Sequence, residues 1–141
     1  MKCENYVKLS FPALSRNESY ARAAVGAFVS QLDPTVDELG SVKAAVSEAV
    51  TNAEIHGYGG EKGAITVEVE TEGKELTVVV EDYGVGIRDV EKAMEPMFTT
   101  DKTGTRSGMG FSFMEAFMDQ VHVESEPGKG TKVVMRKQIG R

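Results

Sequence analysis

The stretch Glu48-Ala-Val-Thr-Asn52-Ala-Glu-Ile-His56-Gly57 decides the fold of this chain. Glu48 and Asn52 are four residues apart, so on a helix both side chains project from one stripe. A carboxylate can accept a proton, and a carboxamide oxygen can ligate a hard cation such as Mg²⁺. Such a pair is most often a solvated polar face, but this one borders an apolar stripe that we expect to be buried. That stripe consists of Val42, Ala45, Val46, Ala49 and Ala53.

A glycine-rich segment, Asp82-Tyr-Gly84-Val-Gly86, lies at the end of the predicted strand 76–82. Val80 and Asp82 share a strand face by period two, so the Asp82 carboxylate points into the layer where Val80 packs. A carboxylate at the edge of a core needs a hydrogen-bond donor, which an adenine amino group would supply. Gly84 and Gly86 would let a flat base approach the backbone. The alternative is that Asp82 only caps the turn.

A second glycine-rich segment, Arg106-Ser-Gly108-Met-Gly110, opens a predicted helix. The free N–H groups and the dipole of a helix start favour an anion, and Arg106 can reach a terminal phosphate. The alternative is an ordinary helix entry with an exposed arginine. Thr131 shares its face with Val133, so its hydroxyl could reach the layer that holds Asp82. No Walker A sequence is present, so a P-loop does not hold the phosphates.

The remaining pattern predicts one α+β domain over residues 1–141, a two-layer sandwich of a mostly antiparallel sheet with helices on one face. Residues 87–107 have no strong period and hold many small polar residues, and a loop of this length is typical of a functional lid. In chain order we predict a strand at 4–11, a helix capped by Ser15 and Glu18, a helix from Asp33-Pro34 to about His56, a hairpin of 65–70 and 76–82, a helix at 108–118, and strands at 121–124 and 132–137.

Composition excludes several classes of protein. The chain has 141 residues, of which 40% are hydrophobic and 27% charged, which is the ordinary globular range. A net charge of −6 argues against wrapping nucleic acid. A single cysteine, Cys3, cannot form an internal disulfide, and no apolar run reaches membrane-spanning length. We therefore expect a cytoplasmic protein with no direct contact to nucleic acid or membrane.

Taken in order, these motifs resemble the ATP-binding fold of gyrase, Hsp90, histidine kinases and MutL. Within that superfamily the chain is most similar, over essentially its full length, to the anti-sigma-factor serine kinases of sporulation. Phe11-Pro-Ala-Leu-Ser-Arg-Asn-Glu18, Val46-Ser-Glu-Ala-Val-Thr-Asn52, Met97-Phe-Thr-Thr100 and Arg106-Ser-Gly-Met-Gly-Phe111 carry the likeness.

The resemblance implies roles for individual residues. Glu48 matches the catalytic carboxylate, Arg106 the phosphate-contacting lid arginine, and Asn52 the magnesium ligand. Asp82 matches the adenine reader. The full set expected to contact ATP or ADP is Asn52, Asp82, Gly84, Gly86, Thr99, Thr100, Ser107, Gly108, Met109, Gly110 and Thr131.

The resemblance also implies partners and an activity. It predicts a homodimer that keeps a sporulation sigma factor, similar to sigma F, from RNA polymerase. It further predicts a protein serine/threonine kinase that uses ATP and Mg²⁺ to phosphorylate an anti-anti-sigma protein on serine. Glu18 and Arg22 match the first-helix face used toward partners, and Arg22 reads as a lone exposed arginine among small residues. Two alternatives remain: a general-stress anti-sigma kinase, and an ATP-gated sigma-binding module without kinase activity.

Overall fold

The computed structural model describes residues 3–57, 63–86 and 110–140, which form a two-layer α+β sandwich. Five strands make one sheet in the order β1-β2-β3-β5-β4, and every neighbouring pair is antiparallel. The predicted fold class is therefore confirmed, and so is the β2–β3 hairpin with its tight turn at Gly73 and Lys74. The strands are β1 (Asn5–Pro12), β2 (Ala64–Glu72), β3 (Glu75–Asp82), β4 (Gln120–Glu126) and β5 (Gly130–Gln138).

The helices pack against one face of this sheet. They are α1 (Ser15–Val29), a 3₁₀ turn (Ser30–Leu32), α2 (Val36–Asn52), a π turn (Ala53–Gly57) and α3 (Gly110–Phe117). No helix within the described ranges has the length and the apolar content to cross a bilayer.

The core lies between the helices and one alternating face of the sheet. Ile65, Val67 and Val69 of β2 are fully buried. The predicted apolar stripe, which runs from Val42 of α2 to Ala53 of the π turn, is wholly buried in the same cluster, and this confirms that part of the prediction. Burying a Val, Leu or Ile side chain contributes about 1.5–3 kcal/mol, so this stripe fixes how α2 lies on the sheet.

The start of α1 differs from its prediction. Leu14, in extended conformation, occupies the N-cap position and makes no side-chain cap, so Ser15 is the first helical residue. The predicted capping box of Ser15 and Glu18 is therefore wrong. Glu18 instead pairs with Arg22 one turn later, with the Arg22 Nη1 to Glu18 Oε1 distance at 3.4 Å.

The start of α2 also lies later than Asp33-Pro34. Asp33 closes the 3₁₀ turn in the left-handed region, at φ 52°, a conformation that Asp tolerates and that an N-cap does not use. Thr35 is the N-cap, and it forms a reciprocal capping box with Glu38. Glu38 also accepts from the Gly140 N–H at 2.8 Å. The N–H groups of Thr35 and Gly140 together lower the pKa of Glu38.

We expect Thr35→Ala to destabilise the protein by about 1 kcal/mol, because it removes the acceptor for the Glu38 N–H. Urea unfolding at neutral pH measures the loss. Ser15→Ala is the matched control, and it should change stability by less than about 0.5 kcal/mol because Ser15 caps nothing. Equal losses in the two variants would contradict this assignment of the caps.

Candidate nucleotide site

A row of four residues spans strands β2, β3, β5 and β4 at the end of β3. Ile65 pairs with Asp82, Asp82 with Thr131, and Thr131 with Ser125. The row lies on the helix-facing side, because the next row on that side is apolar and buried. That next row consists of Val67, Val80, Val133 and Val123. Asp82, Thr131 and Ser125, the polar members of this row, therefore lie at the end of the core, where the sequence predicted that Asp82 and Thr131 would meet.

Asp82 is only 5% exposed at this position. It accepts the Gly84 N–H at 2.9 Å and the backbone N–H of Thr131. Burial raises the pKa of Asp82, while these two N–H donors act in the opposite direction. The carboxylate does cap its turn, as the alternative interpretation held. Its two oxygens offer about four acceptor positions, so two N–H donors leave capacity for a ligand's amino group.

The loop after Asp82 is locked to the turn between β4 and β5. Gly86 has φ 77°, and a Cβ there would lie 2.1 Å from the Glu126 carbonyl oxygen. Gly130 has φ 94°, and a Cβ there would lie 2.1 Å from the Asp82 carbonyl oxygen. The Gly128 N–H also donates to the Val85 carbonyl at 2.7 Å. Contacts within the chain therefore require glycine at position 86, without any contribution from a bound base.

Glu48 and Asn52 lie half-buried on the last turns of α2, next to its buried stripe. The π turn that follows Asn52 contacts β3 and β5, the two strands that carry Asp82 and Thr131. A π turn is rare and often occurs at functional sites. The sequence predicted continued helix to about His56 and gave no sign of this change in winding.

The oxygen ligands available here suit a Mg²⁺ ion that binds together with a nucleotide. In the part of the chain that the structure describes, no three His, Cys, Asp or Glu side chains gather to hold a metal. Mg²⁺ commonly takes one or two protein oxygens and completes its shell with phosphate oxygens and water. The Asn52 carboxamide oxygen is suited to be such a single protein ligand.

Part of the predicted site lies outside the described residues. Of the predicted phosphate contacts only Gly110 is described, and it begins α3. Those that lie outside are Thr99, Thr100, Arg106, Ser107, Gly108 and Met109, together with the rest of the predicted lid.

The predicted partner residues are close together, but Arg22 is not a lone exposed arginine. Besides its contact with Glu18, its Nη1 donates to Ser47 Oγ on α2 at 3.4 Å. The Glu18 side chain is only 19% exposed and that of Arg22 43%. Arg22 has these contacts because residues i and i+4 face each other on a helix and because α2 packs alongside α1.

Comparison with known proteins identifies the family. The profile of the histidine kinase-like ATPase domain matches residues 11–137. A protein of Clostridium acetobutylicum named anti-sigma F factor is 55% identical over 136 residues, which cover 96% of this chain and 95% of the relative. Anti-sigma F factors of Clostridium kluyveri and a Thermoanaerobacter species are 53% and 52% identical, over 95% and 99% of this chain and 94% and 98% of each relative. The chain belongs to the anti-sigma F factor family.

Solved structures support the same fold. The RsbU and RsbW domains of a Mycobacterium tuberculosis protein match with a TM-score of 0.69 at 17% identity, over 96% of this chain and 32% of the other. The catalytic domain of the histidine kinase ThkA matches with a TM-score of 0.57 at 18% identity, over 96% of both chains. This family member therefore has the histidine-kinase-like ATPase fold that its motifs predicted.

The sequence prediction missed Ser125 as a part of this end of the sheet. A signal for Ser125 was present. The turn Pro127-Gly128 sets the hairpin register of β4 and β5, and that register places Ser125 opposite Thr131. The close approach of Gly130 to the Asp82 carbonyl depends on the β3–β5 pairing, which joins segments almost 50 residues apart in the sequence and leaves no local signal.

We expect Gly86→Ala to destabilise this family member by roughly 3 kcal/mol or more, since it adds a backbone clash to an unfavourable φ. Gly128→Ala is the matched control. It has a similar φ of 81° with no atom within 4 Å of the added carbon, so about 1–2 kcal/mol is expected. Chemical denaturation measures both variants. Equal losses would show that the loop is not held by the contact of Gly86 with Glu126.

Proposed function

We propose that this chain is an anti-sigma factor and an ATP-dependent protein serine kinase. It sequesters a sporulation sigma factor similar to sigma F and phosphorylates an anti-anti-sigma partner on serine. The observation that carries the proposal is the nearly buried Asp82 carboxylate, with acceptor capacity left over, in a chain more than 50% identical to anti-sigma F factors. In this proposal residues 1–141 act as a single ATP-binding domain.

The adenine lies against the row at the end of β3. Its amino group donates to Asp82, and the loop at Gly84 and Gly86 passes beside the ring. The phosphates extend toward the start of α3 at Gly110, where helix N–H groups favour negative charge. On sequence grounds Arg106 contacts the terminal phosphate and Thr99, Thr100 and residues 107–109 complete the pocket. ADP occupies the same site after transfer.

Phosphoryl transfer needs mainly positioning and charge neutralisation. The serine oxygen of the partner attacks the γ-phosphorus and a new P–O bond forms. The bond from that phosphorus to the β,γ-bridging oxygen breaks, and ADP leaves with the electron pair. Glu48 orients the serine hydroxyl and accepts its proton. Asn52 holds Mg²⁺, which neutralises charge on the phosphate oxygens when it is bound.

Partner binding is assigned to α1 and to the first strand. Glu18 and Arg22 present a joined acidic and basic pair beside Ser47, next to Glu48, so a protein bound there would lie near the reacting phosphate. β1 is an edge strand of the described sheet and exposes Tyr6 at 70%. Pairing of two β1 edges across a two-fold axis would make the homodimer.

We expect Glu48→Ala to slow transfer of labelled phosphate to the anti-anti-sigma protein by about 100-fold or more, since it removes the proton acceptor. ATP affinity should stay within about 3-fold, because adenine and phosphate contacts are retained. Both are measured on purified protein, by transfer of γ-labelled phosphate and by calorimetry.

Glu68→Ala is the matched control for that experiment. Glu68 is a carboxylate on the opposite face of the sheet, paired with Lys8 at 3.3 Å, and its loss should leave both readouts unchanged. Undiminished transfer by Glu48→Ala would remove Glu48 from its role. If the unmodified protein binds ATP and a sigma factor but never transfers label, it is an ATP-gated binding module instead.

A further inference from the structure

Two of the contacts of Ser125, a β4 residue, are hydrogen bonds at the end of the sheet. Its Oγ donates to the Gly130 carbonyl oxygen at 2.9 Å, and the same Oγ lies 2.8 Å from Thr131 Oγ1. Ser125 and Thr131 face each other in the β4–β5 ladder, so this contact follows from the strand register. Both side chains are half-buried, on the row that also holds Asp82.

Counting protons fixes the direction of the second bond. A serine hydroxyl has one proton, and a carbonyl oxygen has none to give. The bond from Ser125 to Gly130 therefore uses the Ser125 proton. In the contact between the two hydroxyls the proton must come from Thr131. The Thr131 hydroxyl is thus a donor toward Ser125, and its oxygen lone pairs are left as acceptors for a ligand.

Like the Thr131 oxygen, the Asp82 carboxylate is a hydrogen-bond acceptor toward a ligand. It already accepts two backbone N–H groups, and as a carboxylate it has no proton to offer. Asp82 and Thr131 are adjacent in register, so their oxygens present two neighbouring acceptors to whatever binds at this end of the sheet. An edge made only of acceptors suits the amino group at position 6 of adenine and opposes the carbonyl oxygen that guanine carries there.

We propose that Ser125 is a positioning residue that makes the site selective for adenine over guanine nucleotides by holding the Thr131 hydroxyl as an acceptor. The inference rests on the proposed function, because it requires that a purine nucleotide binds at Asp82. Without Ser125, the Thr131 hydroxyl can rotate and donate its proton toward the ligand. Asp82 would still favour adenine, so selectivity is reduced and not lost.

The test measures the affinities of Ser125→Ala for three ribonucleoside triphosphates by calorimetry. The three are ATP, GTP and the purine analogue that has hydrogen in place of the 6-amino group. We expect the ratio of ATP to GTP affinity to fall by roughly 3- to 10-fold, the effect of one neutral hydrogen bond. Affinity for the analogue should change by less than about 2-fold, because it has no amino group to read.

Two further variants distinguish a loss of the Thr131 hydroxyl orientation from a general disruption of the site. Ser125→Thr retains the hydroxyl, so its ratio of ATP to GTP affinity should equal that of the unmodified protein. In a Thr131→Val background, Ser125→Ala should have no additional effect on that ratio, because the hydroxyl it positions is gone. Glu124→Ala is the matched control, since Glu124 is an exposed side chain of the same strand on the opposite face of the sheet, and its loss should leave all three affinities unchanged.

The outcomes are distinguishable. An unchanged ratio of ATP to GTP affinity in Ser125→Ala would overturn the inference, and so would an equal loss for ATP and for the analogue. Either result leaves the proposed function intact as long as the unmodified protein binds ATP. Failure of the unmodified protein to bind ATP would instead remove the proposed function. If Ser125→Ala does not fold, Thr131→Val alone should lower the same ratio, and an unchanged ratio there would overturn the inference.

Discussion

One nearly buried carboxylate determines how this end of the molecule is built. Taking a charged group out of water is costly unless hydrogen bonds compensate, and Asp82 is 5% exposed. Its compensation comes from two backbone N–H groups, one in its own loop and one on β5. The second exists only because β3 and β5 pair in a register that places Asp82 beside Thr131. The register of the sheet, the shape of the loop after Asp82 and the polar chemistry of the site therefore depend on one another.

In the proposed site, the helical layer supplies the second group of polar residues by the same logic. The apolar stripe of α2 is buried, which fixes the rotation of that helix and leaves the neighbouring stripe, with Glu48 and Asn52, at the border of the core. The π turn then ends the helix against β3 and β5. A polar pair at such a border is partly desolvated, where charge and hydrogen bonding have more effect than in water. Phosphoryl transfer depends on those two effects.

Periodic patterns predicted most of the fold, and tertiary contacts decided the rest. The alternation in β2 and β3, the buried stripe of α2 and the hairpin turn at Gly73 were all readable, because each depends on neighbours in sequence. Helix starts were not: Ser15 and Glu18 have the residue types of a capping box, but Leu14 takes the cap position. The placement of Asp82 beside Thr131 followed from strand faces. The close contact of Gly86 with Glu126 requires the β4–β5 turn to fold back on the loop after Asp82, and no local sequence pattern predicts this.

The affinity of Asp82→Asn for ATP tests the central claim most directly, because the substitution removes the charge and keeps the shape. We expect ATP to bind roughly 10- to 100-fold more weakly, since a hydrogen bond from adenine to a charged acceptor is lost. Calorimetry with unmodified and variant protein, both checked for folding by circular dichroism, gives the comparison. Equal ATP affinity in two well-folded proteins would show that Asp82 serves the turn alone and that the nucleotide lies elsewhere.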